Sequence, residues 1–315
     1  VAPRPDGSVW SWGRNTVGQL GDGGTTSRAT PAPMPDFAGV VDISAGYDHT
    51  LALKADGSVW SWGVNYGGQL GYDEGTNAPQ RVPGLPVIRA IAAGGLHSLA
   101  LAVDGGVWAW GENDSGQLAD GSTASRSTPR PVDGLRAVAA IGGGGKHTLA
   151  VTTDGALFAW GDNYSGQVGD GSLTDRLRPV AIAGLAGVAA VSAGIYHSLA
   201  LMADGTLRAW GDGYGGQLGD GRFTPSPTPV AVSGLSGVSE IAAGAYFSMA
   251  RASDGCVWVW GYNTDGQLGD GTTTNRGLPG RLAGVPAAGS IAAGREPAGG
   301  APVAGPGLSL GPHQS

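Results

Sequence analysis

Several residue types are scarce in this sequence, and each scarcity argues against a class of protein. Only two of the 315 residues are Lys (Lys54 and Lys146), the net charge is -7, and no basic run occurs. Such a chain repels phosphate backbones, so we expect no nucleic-acid partner. No stretch approaches the roughly 18 consecutive apolar residues of a membrane helix, so no membrane span is expected. The single cysteine, Cys256, cannot form an internal disulfide, and the cellular compartment stays undetermined.

Glycine, in contrast, is abundant, with 60 residues, and much of it belongs to an internal repeat. The stretch DGSVWSWGVNYGGQLG, residues 56–71, recurs with copies that begin at Asp6, Asp56, Asp104, Asp154, Asp204 and Asp254. The steps are 50 residues, except for one of 48. A fixed period of this length predicts a repeat architecture in which neighbouring units stack into one body.

The second copy shows how one repeat is expected to fold. Residues 40–46 and 49–56 alternate apolar with small or polar side chains, which predicts two half-buried strands. Asp56-Gly57 predicts a hairpin with a type I′ turn, and residues 58–63 predict the returning strand. Residues 76–84 contain proline and predict at most a short outer strand. This pattern predicts an all-β propeller of four-stranded antiparallel blades.

All ten tryptophans lie in the repeated motif. Its second aromatic position is tryptophan in every copy: Trp12, Trp62, Trp110, Trp160, Trp210 and Trp260. A large aromatic ring placed once per repeat is expected to pack between neighbouring blades, where its burial stabilises the fold. A carbohydrate-stacking or light-absorbing role is the alternative.

The combined motif GYDHTLAL, DGSVWSWG and NYGGQLG resembles the regulator of chromosome condensation repeat family. The resemblance covers the chain from Asp6 to about Gly294. It implies a propeller, usually of seven blades, in which the two chain ends complete one blade together. It also implies a protein-binding role, because members of that family act on a GTPase, dimerise or inhibit enzymes.

The repeat is compatible with two numbers of blades. Six copies of the Trp-containing half are present, but only five of the other half, because a sixth begins at residues 290–294 and then fails. We therefore predict six blades, with residues 290–294 paired to the N-terminal strand at residues 8–13. A truncated seven-bladed propeller is the alternative. Residues 1–294 would form the propeller, and residues 295–315, which are rich in Gly and Pro, a flexible tail.

Repeated polar residues are predicted to be structural. His49, His97, His147 and His197 lie at equivalent positions on different blades, too far apart to bind one zinc ion, so each is expected to hydrogen-bond backbone within its own blade. Aspartates beside glycine predict tight turns, in preference to a cation site: Asp22, Asp120, Asp170, Asp220 and Asp270. The arginines that follow are expected to pair with them, although an arginine face for an acidic partner is the alternative: Arg28, Arg126, Arg176 and Arg276. We predict no catalytic residue, metal or cofactor.

Binding residues are sought where the copies differ, because a scaffold repeats and a binding surface varies. The variable loops follow each Trp strand and precede each His, and they hold seven of the eight tyrosines. Tyrosine offers a large rigid surface with a polar tip, which suits protein interfaces. The candidate partner-binding residues are Tyr47, Asp48, Tyr66, Leu96, Lys146, Tyr164, Tyr196, Tyr214, Tyr246 and Tyr262.

These observations favour a non-enzymatic scaffold that binds a protein partner of unknown identity through the loops of one propeller face. One alternative is an enzyme or carbohydrate-binding propeller with a site at the central channel, which clustering of Glu112 with Asp114 would support. Another is a structural repeat segment of a larger secreted or surface protein, for which the start at Val1 and the failing last repeat count as mild support.

Overall fold

A computed structural model of the chain describes residues 1–3, 6–34, 36–294 and 307–309, and every regular element in these ranges is a β-strand. The strands are β1 (Ala2–Pro3), β2 (Val9–Gly13), β3 (Arg28–Pro33), β4 (Val40–Ala45), β5 (His49–Lys54), β6 (Val59–Gly63), β7 (Thr76–Arg81), β8 (Ile88–Ala93), β9 (His97–Ala102), β10 (Val107–Gly111), β11 (Arg126–Pro131), β12 (Val138–Gly143), β13 (His147–Thr152), β14 (Leu157–Gly161), β15 (Arg176–Ala181), β16 (Val188–Ala193), β17 (His197–Met202), β18 (Leu207–Gly211), β19 (Ser226–Ala231), β20 (Val238–Ala243), β21 (Phe247–Ala252), β22 (Val257–Gly261), β23 (Arg276–Arg281), β24 (Ser290–Ala292) and β25 (Gly307–Ser309).

Five complete blades form the body of the propeller, as the repeat predicts. Each holds four antiparallel strands in chain order: β4–β7, β8–β11, β12–β15, β16–β19 and β20–β23. The first strands of neighbouring blades approach one another, so they line the centre of the ring. The second strand, called here the His strand, and the third, the Trp strand, follow outward, and the proline-bearing strand lies at the rim. The all-β propeller of antiparallel blades is confirmed, and six sheets contain a Trp strand.

The hairpin at Asp56-Gly57 is confirmed, but its turn type is not the predicted one. Gly57 has φ of 79°, whereas Asp56 is not among the residues with positive φ. The Gly57 N–H donates to the Lys54 carbonyl at 2.9 Å, which closes a turn ahead of Gly57. The Asp56 carboxylate accepts the Ser58 N–H at 2.9 Å, so a side chain holds this turn. Only one residue then needs the left-handed conformation, and it is glycine.

The chain ends form two smaller sheets, and here the predicted closure is wrong. β24 pairs with β25, and β2 pairs with β1 on its inner side and β3 on its outer side. In a complete blade the His strand separates the first strand from the Trp strand, since Ile43 faces Ala52 and Ala52 faces Trp60. A first strand such as β24 is therefore not adjacent to a Trp strand such as β2. Apart from β25, the predicted tail lies outside the described residues.

The core is divided among the seams between blades. In one seam, Leu51 and Val59 of the second blade pack with Ala100 and Trp110 of the next. The Trp position predicted to fill such seams is fully buried in all five complete blades, at Trp62, Trp110, Trp160, Trp210 and Trp260. The predicted structural role of these rings is confirmed.

A hydrogen-bonded group lies at the end of each seam. The Trp260 indole Nε1–H and the Ser248 hydroxyl both donate to the Gln217 carbonyl of the preceding blade, at 2.9 Å each. The His197 Nε2 lies 3.0 Å from the Ser248 Oγ. Because the Ser248 proton is already donated to the carbonyl, Nε2 must carry a proton of its own. Burial lowers the pKa of His197 to about 4, so the ring is neutral at neutral pH.

The histidines were expected to bond backbone in their own blade, and this prediction is wrong. His49, His97 and His147 each place Nε2 within 3.1 Å of a hydroxyl on the next blade, as His197 does. The Gly-x-x-His spacing has a packing cause: a Cβ added to Gly194 would lie 2.2 Å from Cε1 of His197. Glycine therefore allows the ring to lie over its own turn while the ring nitrogen reaches the neighbouring blade.

Candidate partner-binding face

The two sets of variable loops meet on one face of the propeller. In each complete blade, the residue after the Trp strand donates its backbone N–H to the carbonyl of the residue just before the His strand. The five bonds are Val64 to Asp48 (2.8 Å), Glu112 to Leu96 (2.8 Å), Asp162 to Lys146 (2.9 Å), Asp212 to Tyr196 (2.8 Å) and Tyr262 to Tyr246 (3.0 Å). We call this surface the loop face; it comprises residues 14–18, 47–48, 64–68, 95–96, 112–116, 145–146, 162–166, 195–196, 212–216, 245–246 and 262–266.

Backbone bonds between blades make the inner part of the loop face rigid. The Tyr47 N–H donates to Gly95, that of Gly95 to Gly145, that of Gly145 to Gly194, and that of Ile195 to Ala245, each at 3.0–3.1 Å. These bonds join the turns that precede the His strand in five successive blades. Side chains at these positions are thus held at fixed spacing around the centre.

Three tyrosines project from the outer part of the loop face. Tyr66, Tyr164 and Tyr214 occupy the same loop position on different blades and are 90%, 82% and 70% exposed. Rings exposed to this extent contribute little to folding, and they present apolar area to solvent.

Buried amides hold these loops, and the sequence analysis overlooked them. Asn163 accepts the Val168 N–H at 3.0 Å, and Gln167 accepts the Ser165 N–H at 2.9 Å. Both amides are fully buried. The signal was available, because glutamine occurs at this position in all six copies and asparagine in five. The tyrosines therefore project from fixed loops.

The remaining candidate tyrosines are placed differently. Tyr196, Tyr246 and Tyr262 form a half-exposed cluster across two neighbouring blades, with ring centroids 6.2 and 6.1 Å apart. Tyr47 is 40% exposed on a different blade. The structure thus brings three of the seven candidate tyrosines into contact and distributes the other four around the loop face.

The charged candidates are engaged in ion pairs or hydrogen bonds. The Lys146 ammonium binds Asp114 and lies 3.4 Å from Glu112. Burial raises the pKa of Glu112, although Lys146 acts against it. Burial also opposes ionisation of Asp114, but hydrogen bonds from Lys146 and Gln117 outweigh it and hold the Asp114 pKa below its usual value. The clustering of Glu112 with Asp114 therefore occurs, but as the anionic side of an ion pair.

The last two candidates are Asp48 and Leu96. The Asp48 carboxylate accepts a hydrogen bond from Gln19 at 3.0 Å and lies 3.6 Å from Arg14. Leu96 is half-buried and contributes its carbonyl to the contact between the two loop sets.

The predicted Asp–Arg pairs are present and lie within single loops. Arg28 with Asp22 (2.9 Å), Arg176 with Asp170 (2.5 Å), Arg276 with Asp270 (3.1 Å) and Arg126 with Asp120 form salt bridges. Each joins residues six positions apart, so the pairs fix the turn of their own blade. These arginines are used inside the loops.

The described residues provide neither a metal-binding cluster nor a membrane helix. Across the described ranges, no group of three His, Cys, Asp or Glu side chains is placed to hold a metal ion. In the same part of the chain, no helix has the length and apolar character needed to cross a membrane.

Comparison with known sequences identifies the family. The profile of the RCC1-like domain matches residues 1–296. The chain belongs to the RCC1-like domain family. This agrees with the repeat motif and with the order of strands in the blades.

Solved structures of similar fold include proteins from human and yeast. Human WBSCR16 is 28% identical with a TM-score of 0.81, over 91% of this chain and 79% of that one. Yeast RCC1 (Prp20), solved with Kap60 bound, is 26% identical with a TM-score of 0.82, over 92% and 75%. Prp20p from Saccharomyces cerevisiae, in a separate structure, is 24% identical with a TM-score of 0.67, over 93% and 91%, a likeness of fold alone.

Proposed function

We propose that this RCC1-like propeller acts as a protein-binding scaffold and engages its partner through the loop face, without catalysing a reaction. The observation that carries the proposal is the set of Tyr66, Tyr164 and Tyr214, which are largely exposed on loops held by buried amides. Rigid aromatic side chains lose little entropy on binding and supply much of the energy of protein interfaces.

Two further observations support a protein as the partner. Yeast RCC1, to which this chain is similar, is bound to Kap60 in its structure. On this chain, the cluster of Tyr196, Tyr246 and Tyr262 adds apolar area on the same face, next to carboxylates such as Asp212. The ion pair of Lys146 with Glu112 and Asp114 fits a polar rim better than a catalytic pair, because both carboxylates already contact the same ammonium group.

The experiment compares the two faces of the propeller. Proteins that the unchanged chain retains from an extract of the source cells are identified. Their affinities for the unchanged chain and for two variants are then measured. In the first, Tyr66, Tyr164 and Tyr214 are replaced by Ala. In the control variant, Val87 and Val103 are replaced by Ala. These two side chains are 55% and 60% exposed, and they lie next to each other on the face opposite the loop face.

We expect the tyrosine variant to bind a specific partner at least about tenfold more weakly. Truncation of an anchor residue at an interface commonly costs more than about 1.4 kcal/mol of binding free energy. The valine variant should bind as the unchanged chain does. Equal affinity of all three proteins for every retained partner would refute the proposal. Catalytic turnover of a substrate, lost on Glu112→Gln, would instead favour the alternative of an enzymatic site.

A further inference from the structure

The loop face carries more acidic than basic side chains. Its two basic residues, Arg14 and Lys146, already pair with carboxylates of the same face. Across the described ranges, Asp162, Asp212 and Asp265 form no salt bridge. The six acidic residues of the face are Asp48, Glu112, Asp114, Asp162, Asp212 and Asp265. Part of the face is therefore complementary in charge to a basic partner.

The lysine shows how this face binds a cation. Lys146 lies just before the His strand of its blade, and its side chain reaches back to the loop of the preceding blade. There the ammonium group binds Asp114 and lies 3.4 Å from Glu112. Each later seam between blades has residues at the equivalent positions, so the same arrangement can be sought there.

The next two seams keep the carboxylate but replace the lysine with tyrosine. Asp162 and Asp212 each begin their loop, and the residue equivalent to Lys146 on the following blade is Tyr196 or Tyr246, respectively. Each carboxylate accepts hydrogen bonds from the Gln side chain of its loop, at 2.7 and 2.8 Å, and from a backbone N–H. These donors are neutral, so they fix each carboxylate in place without supplying a positive charge.

Aromatic rings surround this part of the face. Tyr164 and Tyr214 follow the two aspartates by two residues and are 82% and 70% exposed. Tyr196 and Tyr246 come from the following blades, with ring centroids 6.2 Å apart, and Tyr262 lies 6.1 Å beyond Tyr246. The guanidinium group of arginine can stack on such a ring while it pairs with a carboxylate.

The surroundings of Asp162 also favour the arrival of a cation. Burial raises the pKa of Asp162, and the nearby Asp175 carboxylate adds to this effect. The Tyr164 N–H and Lys146 act in the opposite direction without cancelling it. A positive group that contacts this carboxylate would therefore stabilise its ionised form.

We propose that Asp162 and Asp212, with the tyrosines around them, bind two arginine side chains of an extended basic segment in the protein partner. The inference rests on the proposed function, because it assigns a chemistry to the partner of the loop face. Each arginine takes the position that Lys146 has in the preceding seam and pairs with one carboxylate.

The spacing of the two positions defines the partner further. The positions are marked by Tyr196 and Tyr246, whose ring centroids are 6.2 Å apart. Side chains two residues apart lie on one side of an extended chain, about 6.6 Å from each other. The spacing therefore fits an Arg-x-Arg sequence in the partner, where x is any residue.

The test uses the full chain and two dye-labelled peptides of identical composition. In the first peptide, GSRSRSG, one serine separates the arginines. In the control peptide, GSRRSSG, the arginines are adjacent and point to opposite sides of an extended chain. Binding is followed by fluorescence anisotropy at low and at high salt.

Three variants of the chain are compared with the unchanged protein. The double variant Asp162→Asn with Asp212→Asn removes both charges and keeps an oxygen that can accept from Gln. Tyr246→Lys supplies a cation from the chain itself, as Lys146 does in its own seam. The control is the double variant of Val87 and Val103, on the opposite face.

We expect the first peptide to bind saturably, at least about tenfold more tightly than the control peptide. The double Asn variant should bind the first peptide at least about tenfold more weakly, and salt should weaken binding by the unchanged chain more than by this variant. Tyr246→Lys should weaken binding at least about threefold, because its ammonium group competes for Asp212. The valine variant should bind as the unchanged chain does.

Three results would overturn the inference: no binding at millimolar peptide, equal binding of the two peptides, or unchanged binding by the double Asn variant. Thermal unfolding checks that each variant is folded. If the double Asn variant is not, Tyr246→Lys decides, since it keeps both carboxylates. Self-association of the chain that the first peptide disrupts would assign the site to a second copy and overturn the assignment to another protein.

The proteins retained from the extract separate this inference from the proposed function. A partner that needs Tyr66, Tyr164 and Tyr214 but binds the double Asn variant with unchanged affinity would leave the binding face in place and refute only the arginine contacts. If neither set of substitutions affects any retained partner, the proposed function itself fails.

Discussion

The seams between blades and the loop face differ in how far their residues repeat from one blade to the next. Each seam repeats one arrangement, in which an indole and a hydroxyl donate to the same Gln carbonyl of the preceding blade, as Trp210 and Ser198 do to Gln167. The loop face keeps its buried amides but changes its exposed residue from blade to blade, so that Tyr164 of one blade replaces Asp114 of another. Repetition therefore marks what stabilises the ring, and variation marks the surface that we propose as the binding face.

The largest expected effect comes from emptying a seam. Trp210 is fully buried, so Trp210→Ala should lower the free energy of unfolding by about 3–5 kcal/mol, since it leaves a cavity and removes one of the two hydrogen bonds to the Gln167 carbonyl. Trp12→Ala, at the exposed equivalent, should cost less than about 1 kcal/mol. Urea titration of both variants measures the difference, and similar losses would show that Trp12 is covered in solution.

The second prediction concerns the pH dependence of the seams. His197 has a folded pKa of about 4, below its ordinary value of 6.5. The stability that the neutral, buried His197 ring gives the folded state is therefore fully present above pH 6.5 and is lost as the pH falls toward 4. The unfolded chain binds the proton first in this window, at a cost to the folded state of up to about 3 kcal/mol.

His197→Phe provides the matched control, because Phe247 occupies the equivalent position and its ring lies over Gly244 in the same way. Unfolding free energies measured between pH 4 and 7 should show a shallower slope for this variant. An unchanged slope would mean that other groups carry the pH dependence.

A smaller effect is expected at Ala119, which takes the position of a seam glycine. Ala119 has φ of 63°, and at the equivalent Gly169 an added Cβ would lie 2.6 Å from the Trp210 indole nitrogen. Ala119→Gly should therefore stabilise the chain by about 1 kcal/mol, and Gly169→Ala should destabilise it by at least that much. Thermal unfolding of the pair measures both signs; destabilisation by Ala119→Gly would contradict this account.

The smallest effect is expected on the loop face. Tyr66→Ala and Tyr164→Ala should each change the free energy of unfolding by less than about 0.5 kcal/mol, because these rings are 90% and 82% exposed. Chemical denaturation of the single variants tests this. A loss comparable to that of Trp210→Ala would mean that the tyrosines belong to the scaffold, and it would remove the main support for a binding face.

The sequence alone determined the repeat unit, its four strands, the buried Trp of the seams and the Asp–Arg pairs of the turns. Each of these depends on residues close together in the chain or on a pattern present in several copies. Asp170 and Arg176, for example, are six residues apart, so their pairing is a local property of one loop.

Only the tertiary structure decided which groups meet between blades and which remain exposed. His197 reaches a hydroxyl 51 residues later, and the same spacing in sequence could not distinguish that partner from backbone in its own blade. Tyr214 is largely exposed whereas Tyr262, at the start of the equivalent loop one repeat later, is half-buried against Tyr246. Trp12 and Trp62 occupy identical motifs and differ in exposure, because burial depends on the neighbour that a sheet packs against.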